Sequence, residues 1–386
     1  MTKVKRDALS LNNDVNSTIV ILSIVIGVIA RYLVMSLGYN YDFDSYKIVG
    51  EIVSRGGNVY AETSRYNYGF IFSLIQGLGY KATSLIDLGK VDFIFRVYIV
   101  SVLTLADVGI ACWIRKNFNL NLSLLFFLNP VSIIITGYHN QFDNIAVLLA
   151  LLATSFVDEE SSNLTKKDFV SIILLSLSLM TKHILFIFFG WIFLQKNKGQ
   201  SIIKRLAYTF IPPAIFLLSF IPFCIGNTAA LEGIVNNVFR YRSYNNFPLL
   251  RVILKIIPIP NSMYFYIYVA IMIVVGLLLR KKRFSDMMIL YFASMVAFSS
   301  AIANQYLIIP VIALVVYRNK IYFWLYEIFG FIYCILNGNE LHFAGRIQAH
   351  YPSSERVLSI LSGEGGVMVM LMAFVLAVMI ILEIYE

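Results

Sequence analysis

Apolar runs of roughly 18 residues or more recur along the whole chain, each long enough to cross a hydrocarbon core of about 30 Å as a helix. Only 14% of the 386 residues are charged and 59% are hydrophobic, with a mean hydropathy of +0.76. A soluble domain carries about 25% charged residues, and no soluble fold buries so many runs of this length. The expected fold class is therefore all-α, a polytopic transmembrane helix bundle of about 11–13 spans. Spans are placed near 17–38, 93–114, 119–136, 141–157, 168–180, 184–194, 206–225, 263–280, 285–300, 306–317, 320–337 and 367–385. The first run, from Thr18 to Leu37, follows Lys3, Lys5 and Arg6. It is too long for the core of a signal peptide and has no small-residue cleavage site, so it reads as a retained helix.

The formal net charge is +9, yet the basic residues are dispersed among short connections, which argues against nucleic acid as a partner. In a membrane protein such dispersal reports orientation. With the N-terminus inside, the inner loops hold the sequences KVKR, Arg115-Lys116, Lys166-Lys167, the basic group at 196–205, RKKR at 280–283 and RNK at 318–320. Roughly 17 of the 31 Lys and Arg then fall on the inner side. The longer connections, 39–92, 226–262 and 338–366, fall outside, where long loops of a compact bundle carry function. The apolar segment Tyr66 to Leu85 would invert this arrangement if it crossed, so it is expected to lie along the outer surface. An uninterrupted helix over 168–194 would bury Lys182 mid-membrane at about 2.5–3.5 kcal/mol, so two helices meeting at Thr181 to His183 are expected instead. The chain reads as one membrane domain without internal repeats.

Polar chemistry gathers in a few clusters on that same outer side. Asp42 and Asp44 follow the first span in a D-x-D pattern, which could bind a divalent ion or supply one general base, or merely cap a helix. Asp44, Lys47 and Glu51 would share a helix face. Asn129-Pro130 predicts a kink before Gly137 to Asn144, where His139, Asn140, Gln141, Asp143 and Asn144 crowd together. Amides and carboxylates at that density offer donors and acceptors together, as a hydroxyl-rich ligand requires; an ordinary polar turn is the simpler reading. Lys182, beside His183, suits a phosphate as a point charge. Arg240, Arg242 and Arg251, with Tyr241 and Tyr244, could pair with phosphate oxygens and stack on sugar rings, or serve as interfacial anchors. Gln305 and Tyr306 open a further helix, where they can bond a head group or cap.

Taken in order, these pieces resemble the integral-membrane glycosyltransferases of the GT-C fold, and within them the polyprenyl-phosphate-sugar-dependent mannosyltransferases. These include bacterial and archaeal enzymes and the first mannosyltransferase of glycosylphosphatidylinositol synthesis. The resemblance runs through D-F-D-S-Y (Asp42 to Tyr46), G-G-N-V-Y (Gly56 to Tyr60) and R-Y-N-Y (Arg65 to Tyr68). It continues through Asn129-Pro130, Asp143-Asn144 and Lys182, then R-Y-R-S-Y-N-N-F-P (Arg240 to Pro248) and Q-Y-L at 305–307. It covers roughly residues 20 to 310. Family members often carry Y-x-Y-P-P or Y-x-Y-T-P where this chain has Tyr66-Asn67-Tyr68-Gly69-Phe70, and the region after about 320 has no counterpart.

The resemblance implies a GT-C-like bundle in a cell membrane or an endoplasmic-reticulum-type membrane, with catalysis on the extracytoplasmic or lumenal face. A hexose, mannose foremost, would pass with inversion from a polyprenyl-phosphate donor to the hydroxyl of a glycolipid or glycan acceptor. It places the base on Asp42, with Asp44 as the close alternative. Lys182, His183, Arg240 and Arg242 would stabilise the phosphate. His139, Asn140, Gln141, Asp143, Tyr68, Tyr244, Gln305 and Tyr306 would contact sugar and acceptor. No cofactor is required, and a divalent cation at Asp42 and Asp44 stays open. The competing readings are a flippase or transporter of lipid-linked sugars, and a polysaccharide polymerase or ligase of similar fold. The absence of related halves in the sequence argues against a transporter.

Overall fold

The structure, a computed structural model, describes residues 17–86, 89–196, 201–240, 249, 259–299, 304–317, 320–336, 357 and 367–385. Asparagine does much of the work of dividing apolar sequence into helices. Asn40, Asn58, Asn119, Asn129 and Asn227 each sit in extended backbone and accept a hydrogen bond from a backbone N–H in the first turn of the helix that follows. Such a cap satisfies a donor that has no partner inside the helix. Thr165 and Asp168 form a reciprocal capping box at the start of Lys166–Thr181. All described regular structure is helical, with no strand among the described residues.

Among the described residues four helical segments are long and apolar enough to cross a bilayer: Ile19–Ser36, Val91–Asn117, Ile202–Cys224 and Val367–Tyr385. Two bent pairs raise the number to six, Leu120–Phe127 with Pro130–His139 at 44° and Lys166–Thr181 with His183–Leu194 at 111°. The other apolar helices have 10–17 residues among the described residues, or about 15–26 Å at 1.5 Å per residue, against about 30 Å of hydrocarbon core. Against the expected 11–13 crossings, four to six candidates qualify by length and composition among the described residues. Ile21, Leu22, Ile26, Ile29 and Leu33 on the first helix are exposed, an apolar face suited to lipid rather than water.

Both bends follow from single residues. Asn129 caps a new helix whose first residue, Pro130, lacks the N–H needed to continue the previous one. At the second bend Lys182 adopts extended backbone, φ −151° and ψ 128°, so its side chain leaves the helix axis where the two halves separate. The segment 66–85, expected along the outer surface, contains the helix Phe70–Ile86, which packs between Tyr41–Ser54 and Val91–Asn117.

Most buried side chains belong to one continuous apolar core. A smaller cluster of Phe43, Tyr46, Phe72, Phe95, Ile99, Leu103 and Phe142 lies apart from it. Within it the Phe72 and Phe142 rings stack at 3.8 Å. This second cluster is the floor on which the polar residues converge.

Candidate functional site

Four of the sequence clusters meet in space. The turn that carries the amides is built by an unusual backbone. Pro130–Ile134 runs into a π-helix, Ile135–His139, which ends at Asn140 in left-handed conformation, φ 57° and ψ 36°. Asn140 is the one non-glycine residue with positive φ among the described residues, and asparagine tolerates that region because its short side chain bonds locally. Asn140 Nδ2 donates to the carbonyls of Gly137 at 2.8 Å and Thr136 at 3.2 Å. π-turns of this kind are frequent at functional sites because they re-aim consecutive side chains.

Gln141, aimed this way, reaches the first loop. Its Nε2 donates to Asp42 Oδ2 at 2.5 Å, and its Oε1 accepts from Tyr46 at 3.4 Å. Asp42 is half-buried, in the first turn of Tyr41–Ser54, whose cap is Asn40 rather than either aspartate. Asn40 Nδ2 in turn donates to His139 Nδ1 at 3.0 Å. Burial first, and the Asp42 carboxylate second, push the Tyr46 phenol well above its ordinary range, so Tyr46 remains a donor.

Asp44 takes another course. It pairs with Lys47 at 3.1 Å, and Lys47 also meets Asp92 at 3.0 Å. The helix turn separates the two aspartates, and no group of three His, Cys, Asp or Glu side chains converges among the described residues.

Asp143, two residues beyond Gln141, is fully buried and holds Lys182 Nζ at 2.7 Å. The ammonium is ringed by Phe142, Tyr68 and Tyr306 at 4.9, 5.2 and 5.5 Å from the ring centroids. Lys182, expected at the donor phosphate as a point charge, is paired here with a buried carboxylate. Tyr68 also lies edge-on to Phe142 at 4.8 Å and beside the His183 ring at 6.1 Å. Buried in this region, Asp143 Oδ1 and His183 Nδ1 have no hydrogen-bond partner among the described residues. Tyr306 belongs to the short 3-10 turn Asn304–Ile308, which packs on the π-helix and carries Gln305 with it.

Glycine lets the first loop approach. A Cβ at Gly69 would overlap the Met180 carbonyl, one residue before the second bend begins.

Arg240 is not brought to this cluster. It sits exposed at the end of the π-helix Ile234–Phe239, with no ion pair to the cluster among the described residues. Arg242, Tyr244 and Arg251 lie outside the described residues, as does most of 338–366.

Two charges that the sequence reading passed over support the site from below. Arg31, in the first helix, and Asp107, in Val91–Asn117, are both fully buried and pair at 2.8 Å. Asp107 Oδ2 also accepts from Thr136 at 2.8 Å, and Oδ1 from Asn144 at 2.5 Å. Arg31 bonds Ser132 Oγ at 3.0 Å and the carbonyls of Gly27 and Phe127 at 3.0 and 3.1 Å. The network thus grips the Pro130–Asn144 segment on both sides of its π-turn. A lone charge inside an apolar run was the available signal, because such a charge survives in a membrane only when paired or functional.

The arrangement presents a half-exposed carboxylate, fixed by one amide, beside a buried ion pair, aromatic rings and several amide and imidazole groups. That combination can take a proton and bind hydroxyls. No family model, curated protein or solved structure matches this chain.

Proposed function

We propose that the protein is a membrane glycosyltransferase that moves a hexose, mannose foremost, from a polyprenyl-phosphate carrier to a hydroxyl of a glycolipid or glycan acceptor. The observation that carries this reading is the Asp42–Gln141 contact. Gln141 occupies Oδ2, and Oδ1 makes no hydrogen bond among the described residues, which leaves a half-exposed carboxylate oxygen beside the amide-rich turn. The ordered resemblance in sequence supports the choice of reaction, and the apolar spans support a lipid-borne substrate.

In this mechanism Asp42 Oδ1 takes the proton of the acceptor hydroxyl as its oxygen forms a bond to the anomeric carbon. The bond from that carbon to the phosphate oxygen breaks on the opposite face, and its electron pair leaves with the phosphate. Inversion follows from the in-line geometry. Gln141 holds Asp42 in place, Asn140 and His139 hold the turn that carries it against Arg96 and Asn40, and the Lys182–Asp143 pair fixes the Tyr68, Phe142 and Tyr306 rings. Asp44, engaged by Lys47, has no part in proton transfer.

The test is sugar transfer by the purified protein in liposomes supplied with radiolabelled polyprenyl-phosphate mannose. The wild type should label a lipid or glycan acceptor, and Asp42→Asn should not. Absence of transfer from every polyprenyl-phosphate sugar tried, with the sugar-lipid instead crossing the bilayer, would replace this reading with a flippase.

A further inference from the structure

Among the described residues four cations are buried: Arg31, Arg96, Lys182 and Lys204. Three of them hold a buried aspartate. Arg31 lies 2.8 Å from Asp107, Lys182 2.7 Å from Asp143, and Lys204 2.9 Å from Asp168. Arg96, 8% exposed, differs. Its Nε donates to Asn140 Oδ1 at 3.2 Å and one Nη donates to the Gly38 carbonyl. Its guanidinium carbon lies 5.0 Å from the Tyr39 ring centroid and 5.8 Å from that of Phe43. No carboxylate pairs with it, and its second Nη makes no hydrogen bond among the described residues.

A buried guanidinium held only by neutral acceptors and ring faces is short of an anion, because removal of a charge from water is offset mainly by an opposite charge. Its planar fork matches a phosphate or carboxylate bidentately. The nearby Lys47 cannot take that role, since Asp44 and Asp92 already hold it.

The surroundings of Arg96 indicate which anion. It lies near the N-terminal end of the membrane-length helix Val91–Asn117, three residues after the exposed Phe93 and therefore on its face. The first helix runs beside it, joined by the Tyr32–Ser101 hydroxyl contact at 2.6 Å. Leu33, Leu37 and Tyr39 at the end of that helix are exposed as well. An unpaired guanidinium where two apolar faces end is placed for a head group whose chain lies along those faces. Arg96 holds Asn140, and the next residue, Gln141, holds Asp42, so the anion would sit beside the proposed base.

We propose that Arg96, unassigned by the sequence motifs, anchors the phosphate of a membrane lipid whose apolar chain lies along Leu33, Leu37 and Phe93. The choice of a lipid phosphate rests on the transferase reading above; the need for an anion does not. Lys182, neutralised by Asp143, is then not the principal phosphate contact.

The experiment measures equilibrium binding of farnesyl monophosphate, farnesol and inorganic phosphate to the full chain in phosphatidylcholine nanodiscs. Wild type should bind farnesyl monophosphate at least about tenfold more tightly than farnesol, the factor that one modest charge-assisted contact supplies. Arg96→Gln should abolish the difference while farnesol binding stays unchanged, and Arg96→Lys should restore part of it. Equal binding of farnesyl monophosphate and farnesol by wild type overturns the proposal without any variant, as does an undiminished preference in Arg96→Gln. Inorganic phosphate bound as tightly as farnesyl monophosphate overturns the lipid assignment. Sugar transfer separates the two proposals. Phosphate binding dependent on Arg96 without any transfer removes the enzyme and keeps this site, whereas transfer with Arg96→Gln binding normally does the reverse.

Discussion

Lys182 Nζ and Asp143 Oδ2 meet at 2.7 Å with both side chains buried, and this pair ties the 111° bend after Thr181 to the helix that follows the amide turn. The contact joins two sequence clusters that had each been read as a ligand contact. Asp143→Asn should leave an uncompensated buried ammonium and lower stability by about 3–5 kcal/mol. Replacement of both partners, as Lys182→Met with Asp143→Leu, should restore most of that loss. Thermal unfolding in detergent, with all three variants side by side, measures it. A single Asp143→Asn variant as stable as wild type would deny the pair its structural weight.

The Asp42 and Asp44 carboxylates should separate cleanly in kinetics. Loss of a general base lowers the chemical step by about 10²–10⁴-fold, so Asp42→Asn should reduce kcat by that order and leave donor binding intact. Asp44→Asn breaks only an exposed pair with Lys47, whose side chain meets Asp92 as well, and should change kcat less than about threefold, in line with the small worth of surface pairs. The reverse pattern would transfer the role of base to Asp44.

The buried Arg31–Asp107 pair should govern the geometry of the π-turn. Asp107→Ala removes the acceptor used by Arg31, Thr136 and Asn144, strands a buried guanidinium, and should destabilise by about 3–5 kcal/mol. Thr136→Val removes one neutral bond and should cost about 0.5–1.5 kcal/mol. Unfolding of the two variants should rank in that order.

Gly69 is the position where the first loop touches the second bend. Gly69→Ala would drive a methyl group into the Met180 carbonyl, force the Tyr68 ring away from Lys182, and should lower stability by about 1–3 kcal/mol, as overpacking does. Gly89→Ala is a useful contrast: nothing lies within contact of a Cβ there, but its φ of 65° strains an alanine, so its loss reports backbone alone. Sugar transfer should fall in the first variant and persist in the second.

Residue chemistry alone determined a good deal of this protein. The apolar runs dictate helices, Asn129-Pro130 dictates the first bend, and the expense of a lysine within lipid dictates the break at Lys182. Asparagines ahead of apolar runs mark helix starts. The clusters at 41–46, 137–144, 181–183 and 304–306 could be recognised as unusual because polar groups are costly in apolar surroundings. What each polar group pairs with was decided by the tertiary structure. Arg31 finds Asp107 across 76 residues, Gln141 finds Asp42 across 99, and Lys182 finds Asp143 across 39. Those partners depend on the angles at two bends and on a π-turn ended by one left-handed asparagine, which set where each helix end points. A local pattern fixes that a charge must be compensated; only the assembled bundle fixes by what, and so only there does Arg96 stand out, among the described residues, as the buried cation without an acid.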